Sequence, residues 1–354
     1  MQYKINMTIR KILVIQLGDI GDVVWAIPTF KALKAALPHA ALSVLTRKPF
    51  GDLLLEDSSV DKVFQIGKEN ILKQLQLLLI LRREKYDITF DLRADDRGAF
   101  TSFLVSAPIR AAMYYSGLYW RNRAFTHLVD PPSKKERLFG AADQSLCIIR
   151  GFGIKETTTI PKIYVSQKNK DKIVELVKSE KIEAPQGFIT INPFSRWSYK
   201  EWSIDKWRQL LSLLWEKYKM PTLVIGSAEE TRRADELTSK ASFPIHNLAG
   251  RTNLRELAAI LQISRLHIGV DSAAPQIAAA VGTPTLTIYG PSDWREWAPR
   301  GEGNQVVVPD MDCSPCCKKG CDGSGRSECL ETLAVLKVQD AVEKMMKTFV
   351  SDKF

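Results

Sequence analysis

The sequence predicts an α/β fold of two tandem, doubly wound, Rossmann-like domains facing a cleft. Three observations carry this. Short apolar runs bounded by Gly, Pro or Asp alternate with helical stretches along the chain, as expected of parallel strands buried on both faces. A Thr-rich, Pro-containing stretch, TTTIPKIYVSQKN, interrupts the alternation near the middle. The length of 354 residues, with 45% hydrophobic and 25% charged residues, suits a globular chain with two cores.

In the first half KILVIQ, ALSVLTR, VFQIG and YDITFDLR read as strands, with helices following residues 22, 50 and 70. After the interruption DKIVELVKSEKI opens a helix. GFITINP, TLVIGS, LHIGV and TLTIYG are the strands of the second half. Between them SIDKWRQLLSLLWEKY, AEETRRADELTSKA, LRELAAILQIS and APQIAAAVG read as helices. The expected domains are 1–165 and 166–332. A terminal helical segment, 333–354, carries an apolar stripe through Val335, Val338, Val342 and Met345 and is expected to pack back on the first domain. No tandem repeat interrupts the pattern.

A net charge of +10, spread along the chain, favours phosphorylated partners or anionic lipid and by itself leaves nucleic acid open. The opening MQYKINMTIRKILVIQ lacks the apolar run and cleavage site of a secretory signal, so a cytoplasmic location is expected. The greasiest stretch, LKQLQLLLILRREKYD from Leu72, is unbroken only from Leu77 to Leu81, far short of the roughly 20 residues of a membrane span. It reads as a buried amphipathic helix. A membrane-surface contact is the alternative, since Arg82, Arg83 and Lys85 follow, with Glu84 offsetting part of that charge.

Cys147 reads as a small core residue, whereas Cys313, Cys316, Cys317, Cys321 and Cys329 crowd into CSPCCKKGCDGSGRSEC. In a cytosolic chain such density suggests metal before disulfides, yet no second Cys-x-x-Cys completes a familiar ligand set. No metal is assigned; reduced thiols packing a loop and an adventitious disulfide stay open.

The segment LVIQLGDIGDVVWAIPTFKAL sets Asp19 and Asp22 in a turn between strand and helix, where these folds usually admit a ligand's phosphates. Two carboxylates would repel a diphosphate. Asp22, in the first helical turn, is held as an anion by the helix dipole and could take a proton from a hydroxyl; alternatively one of the two aspartates is a helix cap. In the second half, HIGVDSAAPQIAAAVG places small residues Ser272 and Ala273 where a diphosphate could reach helix amides, although Asp271 or Ser272 could equally cap a structural helix. Arg93, Arg97 and Arg110 precede YYSGLYWRNRAF, in which Arg121 and Arg123 stand among aromatics. That mixture suits a sugar acceptor bearing carboxylates or phosphates, or a solvated basic surface. GDIGDV has two glycines, wrongly spaced and flanked by acids, which argues against a dinucleotide-dependent oxidoreductase.

In order and spacing, GDVVWAIP, PFSRWSYKEW and DSAAPQIAAAVGTPTLTIYGP together resemble glycosyltransferase family 9, the ADP-heptose:lipopolysaccharide heptosyltransferases. The resemblance spans essentially the whole chain. It implies a GT-B type fold and an inverting, metal-independent transfer of heptose from ADP-heptose to lipid-linked core oligosaccharide. The location it implies is peripheral to the anionic inner membrane, with no nucleic acid partner and no cofactor. By the same resemblance Asp22 falls on the general base, Lys200 on the lysine that meets the donor phosphate, and Glu230 on the acid that binds the ribose. Asp271, Ser272 and Ala273 fall on the donor turn. Gln276 stands where the family usually has His, which raises two alternatives: another nucleotide-sugar, or a non-catalytic sugar-nucleotide-binding relative. Asp310-Met311-Asp312 is set aside as a metal motif because it adjoins the cysteine loop.

Overall fold

A computed structural model describes residues 3, 9–68, 70–93, 95–132 and 140–350. The chain divides into two units, Met1–Tyr164 and Val165–Phe354.

Six strands build the sheet of the first unit: β1 (Lys11–Gln16), β2 (Ala41–Arg47), β3 (Lys62–Ile66), β4 (Ile88–Asp91), β5 (Ile109–Met113) and β6 (His127–Val129). All pairs are parallel and the order is β3-β2-β1-β4-β5-β6. The second unit repeats this plan with β7 (Ile189–Asn192), β8 (Thr222–Val224), β9 (Ile245–Asn247), β10 (Leu266–Val270), β11 (Thr285–Ile288) and β12 (Asn304–Val307). Its order is β12-β11-β10-β7-β8-β9, again wholly parallel. In both sheets the order reverses beside the first strand, between β1 and β4 and between β7 and β10. Loops leaving those strands diverge to opposite faces there, and the crevice beyond their carboxyl ends is where such sheets take ligands.

The central strands ILVIQ of β1, ITFD of β4, ITIN of β7 and LHIGV of β10 are mainly apolar and buried along their length, with the polar side chains Gln16, Asp91 and Asn192 at three of their carboxyl ends. Edge strands β6 and β9, HLV and IHN, are short, half-buried and more polar, so sequence pattern alone passes over them.

Two expectations are corrected. The terminal helix Val335–Met345 joins the core of the second unit. Val335, Val338, Val342 and Met345 pack in one cluster with Leu210, Leu211 and Leu214 of the helix Ile204–Tyr218, and Lys217 pairs with Glu343 at 2.7 Å. Its apolar stripe is satisfied there because the chain leaving β12 returns over β11 and β12 beside the helix Ile204–Tyr218.

The second correction concerns the helix Ile71–Arg83. Only Leu81 of its apolar side chains is buried; Ile71, Leu72 and Leu79 are 72%, 66% and 53% exposed. Leu81, with Leu77 half-buried, joins a cluster with Leu13 and Ile15 of β1, Leu45 of β2 and Val105, while Ile71, Leu72, Leu75 and Leu79 face outward.

Candidate active site

At the first switch point Leu17 and Gly18 follow β1, and Asp19 caps the helix Ile20–Ala36. Asp19 and Asp22 form a capping box in which the Asp19 amide donates to Asp22 Oδ2 at 2.8 Å. The same oxygen accepts from Arg93 Nη1, delivered from the loop after β4, at 2.6 Å. Among the described residues both side-chain hydrogen bonds of this carboxylate fall on Oδ2. Burial pushes the Asp22 carboxyl above its ordinary value; the Arg93 guanidinium and the Asp19 amide pull it back, and the Asp19 charge adds to the rise. Asp19 itself is held by Arg47 Nη1 at 2.8 Å. Gly18 is required here: a Cβ on it would lie 2.4 Å from Asp22 Oδ2.

The second unit uses the same device one strand over. After β8, Gly226 precedes Ser227, whose amide donates to Glu230 Oε2 at 2.7 Å in another capping box, and a Cβ on Gly226 would meet that oxygen at 2.7 Å. Burial raises the Glu230 carboxyl, and the Ser227 amide and hydroxyl oppose it.

At the second switch point Lys200 Nζ lies 2.6 Å from Asp271 Oδ2. The neighbours of Lys200 hold it there. Glu201 accepts from the Ser195 amide at 2.8 Å and from Arg233, whose guanidinium stacks 4.6 Å from the Phe194 ring centroid. Trp202 is buried and donates to the Leu333 carbonyl. Ser272 precedes the helix Ala273–Ala280 without capping it: its hydroxyl donates to Asn192 Oδ1 at 2.7 Å. The amides of Ala273 and Ala274 are therefore uncapped by a side chain, while Pro275 has no amide to offer.

Not every predicted residue belongs to these clusters. Arg121 is turned inward, 2% exposed, donating to the Met113 carbonyl and stacking on Tyr115, so it serves the fold rather than an acceptor. Arg110 likewise binds the Ala107 and Ala124 carbonyls. Arg97 lies 3.7 Å from Asp95, and Arg123 is exposed. Gln276 is buried, its Nε2 donating to the Trp297 carbonyl at 2.7 Å beside Tyr289, whose hydroxyl donates to the same oxygen at 2.8 Å. It does not face outward with Ser272. Asp310 pairs with Lys337 of the terminal helix.

Cys313, Cys316, Cys317, Cys321 and Cys329 are free thiols, and burial pushes Cys329 up to about 11. Among the described residues no group of three or more His, Cys, Asp or Glu side chains could hold a metal ion. Sequence reasoning missed Arg47 in the first cluster and Asn192 and Arg233 in those of the second unit, which come from separate strands or helices. Of these Arg47 and Asn192, each closing a strand, had a visible signal.

Beyond this geometry, the sequence model of glycosyltransferase family 9 (heptosyltransferase) matches residues 75–325. The chain belongs to glycosyltransferase family 9. Among relatives of this family-9 enzyme, lipopolysaccharide heptosyltransferase 3 of Escherichia coli (strain K12) is 26% identical over 292 residues, 78% of this chain and 82% of that protein. The glycosyl transferase family 9 structure from Veillonella parvula DSM 2008 superposes with a TM-score of 0.82 at 18% identity, covering 97% of this chain and 99% of that one. E. coli heptosyltransferase WaaC with ADP-2-deoxy-2-fluoro heptose gives 0.71 at 15% identity, over 94% and 99%. These two likenesses establish the fold as two Rossmann-like units of the GT-B type.

Proposed function

We propose that this family-9 glycosyltransferase moves heptose from ADP-heptose to the inner core of lipopolysaccharide, with inversion and without a metal. Lys200 and the amides of Ala273 and Ala274 would take the charge of the departing diphosphate, and Glu230 the ribose. Asp22 would accept the proton of the attacking hydroxyl on Oδ1. In the step the acceptor oxygen bonds to the anomeric carbon, the bond from that carbon to the diphosphate oxygen breaks, and the proton passes to Asp22. Arg93, Arg97 and Arg123 would meet anionic groups of the acceptor.

The observation that carries the donor half is the lysine set beside an uncapped helix start: a cation and free amides, the equipment for an anion. The names of the relatives support heptose as the sugar and lipopolysaccharide as the acceptor. The test is a single-turnover assay with ADP-heptose and a truncated core acceptor, run beside a panel of other nucleotide-sugars. Acceptor-dependent ADP release that is highest with ADP-heptose supports the reading. Faster turnover of another donor, or donor binding without release, would replace it with one of the two alternatives.

A further inference from the structure

The helix Ile71–Arg83 turns its most apolar residues outward. Its exposed side includes Ile71, Leu75 and Leu79, a row at four-residue spacing, with Leu72 beside it. Burying so few of so many leucines is costly for a helix facing only water. The surface continues onto the neighbouring helix Asp96–Val105, where Phe100 and Phe103 are each more than half exposed, and Arg82 ties the two together by donating to the Leu104 carbonyl at 3.1 Å. Past it, the segment after β5 exposes Tyr119 and Trp120, residue types that favour a membrane–water boundary.

Charge decides what covers this face. The helix Ile71–Arg83 carries Lys73, Arg82 and Arg83 and no acid, and on the helix Asp96–Val105 the exposed Asp96 and Arg97 offset each other, so the face as a whole is cationic. A second copy of the chain docking face to face would set these cations against their own equivalents. An anionic lipid surface would attract them and receive the leucines. Among the described residues no helix is long and apolar enough to cross a membrane, so the contact is one that lies on the surface. Both helices start at the carboxyl edge of the sheet, the edge that carries Asp22 and Arg93.

We infer that the outward face of Ile71–Arg83 and Asp96–Val105 docks on an anionic bilayer. This deepens the proposed function, resting on it only for why a lipid-linked acceptor would make such docking useful. The helix would lie in the headgroup region with its leucines toward the acyl chains, presenting the carboxyl edge of the sheet to acceptors anchored in the same leaflet.

The test is co-sedimentation of the full chain with vesicles of equal parts phosphatidylglycerol and phosphatidylcholine, against phosphatidylcholine alone. Leu72→Gln/Leu75→Gln/Leu79→Gln should lower partition onto the anionic vesicles by about tenfold or more, and Lys73→Gln/Arg83→Gln by a smaller factor that vanishes in high salt. Both variants should melt like the wild type and turn over a soluble truncated acceptor equally well. Equal partition of wild type and the triple-glutamine variant would overturn the inference. So would a concentration-dependent dimer, seen by ultracentrifugation, that the triple variant abolishes while vesicles bind neither protein. Leucine-dependent vesicle binding by a protein that transfers no heptose would uphold the docking face and overturn only the transfer reading.

Discussion

Arg93 Nη1 and Asp22 Oδ2 stand 2.6 Å apart at the reversal of the first sheet, and Lys200 and Asp271 repeat that distance at the reversal of the second. Each switch point thus holds a carboxylate closed on a cation. In the first unit the carboxylate is more deeply set than its arginine, 21% against 44% exposed; on the proposed reading an anionic acceptor would draw off the cation and leave the base in place. The turn GDIGD tolerates two acids because each has its own guanidinium, Arg47 for Asp19 and Arg93 for Asp22.

Removing that cation should move the pH dependence of catalysis. Arg93 lowers a carboxyl that burial has raised. In Arg93→Gln the lowering influence is gone, so Asp22 protonates at higher pH and the acid limb of the kcat profile shifts upward. An acid limb that stays put or moves down would show that another group limits the rate.

Asp22→Asn should cut turnover about 100-fold or more while ADP binding stays within a few fold. Stability supplies an independent readout. Because the native carboxyl is raised, the native state holds a proton that the unfolded chain releases. Native stability then falls as pH rises from the ordinary carboxylate value through the raised one, and the full cost stands at neutral pH. Asn keeps an oxygen for the Asp19 amide and carries no such cost. The melting temperature of Asp22→Asn relative to wild type should therefore climb between about pH 4 and neutrality. A margin independent of pH would contradict the raised carboxyl.

Much of this was legible beforehand. Central strands such as KILVIQ and LHIGV announce themselves because burial on both faces makes their interiors mainly apolar. Asp22 and Lys200 stood out by motif. What stayed hidden depends on tertiary placement. An aromatic-flanked arginine reads alike whether it faces solvent or, as Arg121 does, a carbonyl inside the fold. The row of leucines in LKQLQLLLIL reads as core because burial is the usual fate of such a helix, and only the packed sheet reveals that Leu81 alone is taken in. The terminal helix shows its stripe in sequence but not which sheet receives it.

Two glycines offer a paired test of the capping boxes. Gly18→Ala would drive its methyl into Asp22 Oδ2, and Gly226→Ala into Glu230 Oε2. Displacing a catalytic group by about an ångström can cost roughly 100-fold in rate, so Gly18→Ala should depress kcat by at least about tenfold with donor affinity unchanged. Gly226→Ala should do the reverse, raising the donor KM more than it lowers kcat. The same kcat–KM pattern from both variants would show that the two boxes do not serve different substrates.

Lys200 should matter for the nucleotide itself. A hydrogen bond to a charged group contributes about 1.5–3 kcal/mol, so Lys200→Met should weaken ADP roughly 10- to 100-fold by calorimetry. With the leaving charge on lysine and amides, turnover should be the same before and after EDTA. Loss on chelation, restored by magnesium or manganese, would reassign that charge to a metal. Unfolding on chelation would mark the cysteine loop as a structural metal site.

Gln276→His separates the sequence reading of the donor turn from its geometry. Read along the helix, residue 276 falls one turn beyond Ser272 on the same face, and a histidine there should tighten ADP-heptose below about pH 6.5 as the imidazole gains its proton. In the fold, the Gln276 amide is buried and committed to the Trp297 carbonyl at 2.7 Å. Burial works against a charged imidazole, as at the fully buried His267, which it pushes down to about 3. The substituted ring should stay neutral, so donor affinity should remain within about threefold of wild type and flat through that pH range. The cost should fall on stability, on the order of 1 kcal/mol if the bond to Trp297 is lost. Titrating ADP-heptose into the variant at several pH values decides the matter: tightening toward acid pH would mean that residue 276 reaches the donor after all, and a flat, near-normal affinity with a lowered melting temperature would mean that it braces the helix behind Asp271.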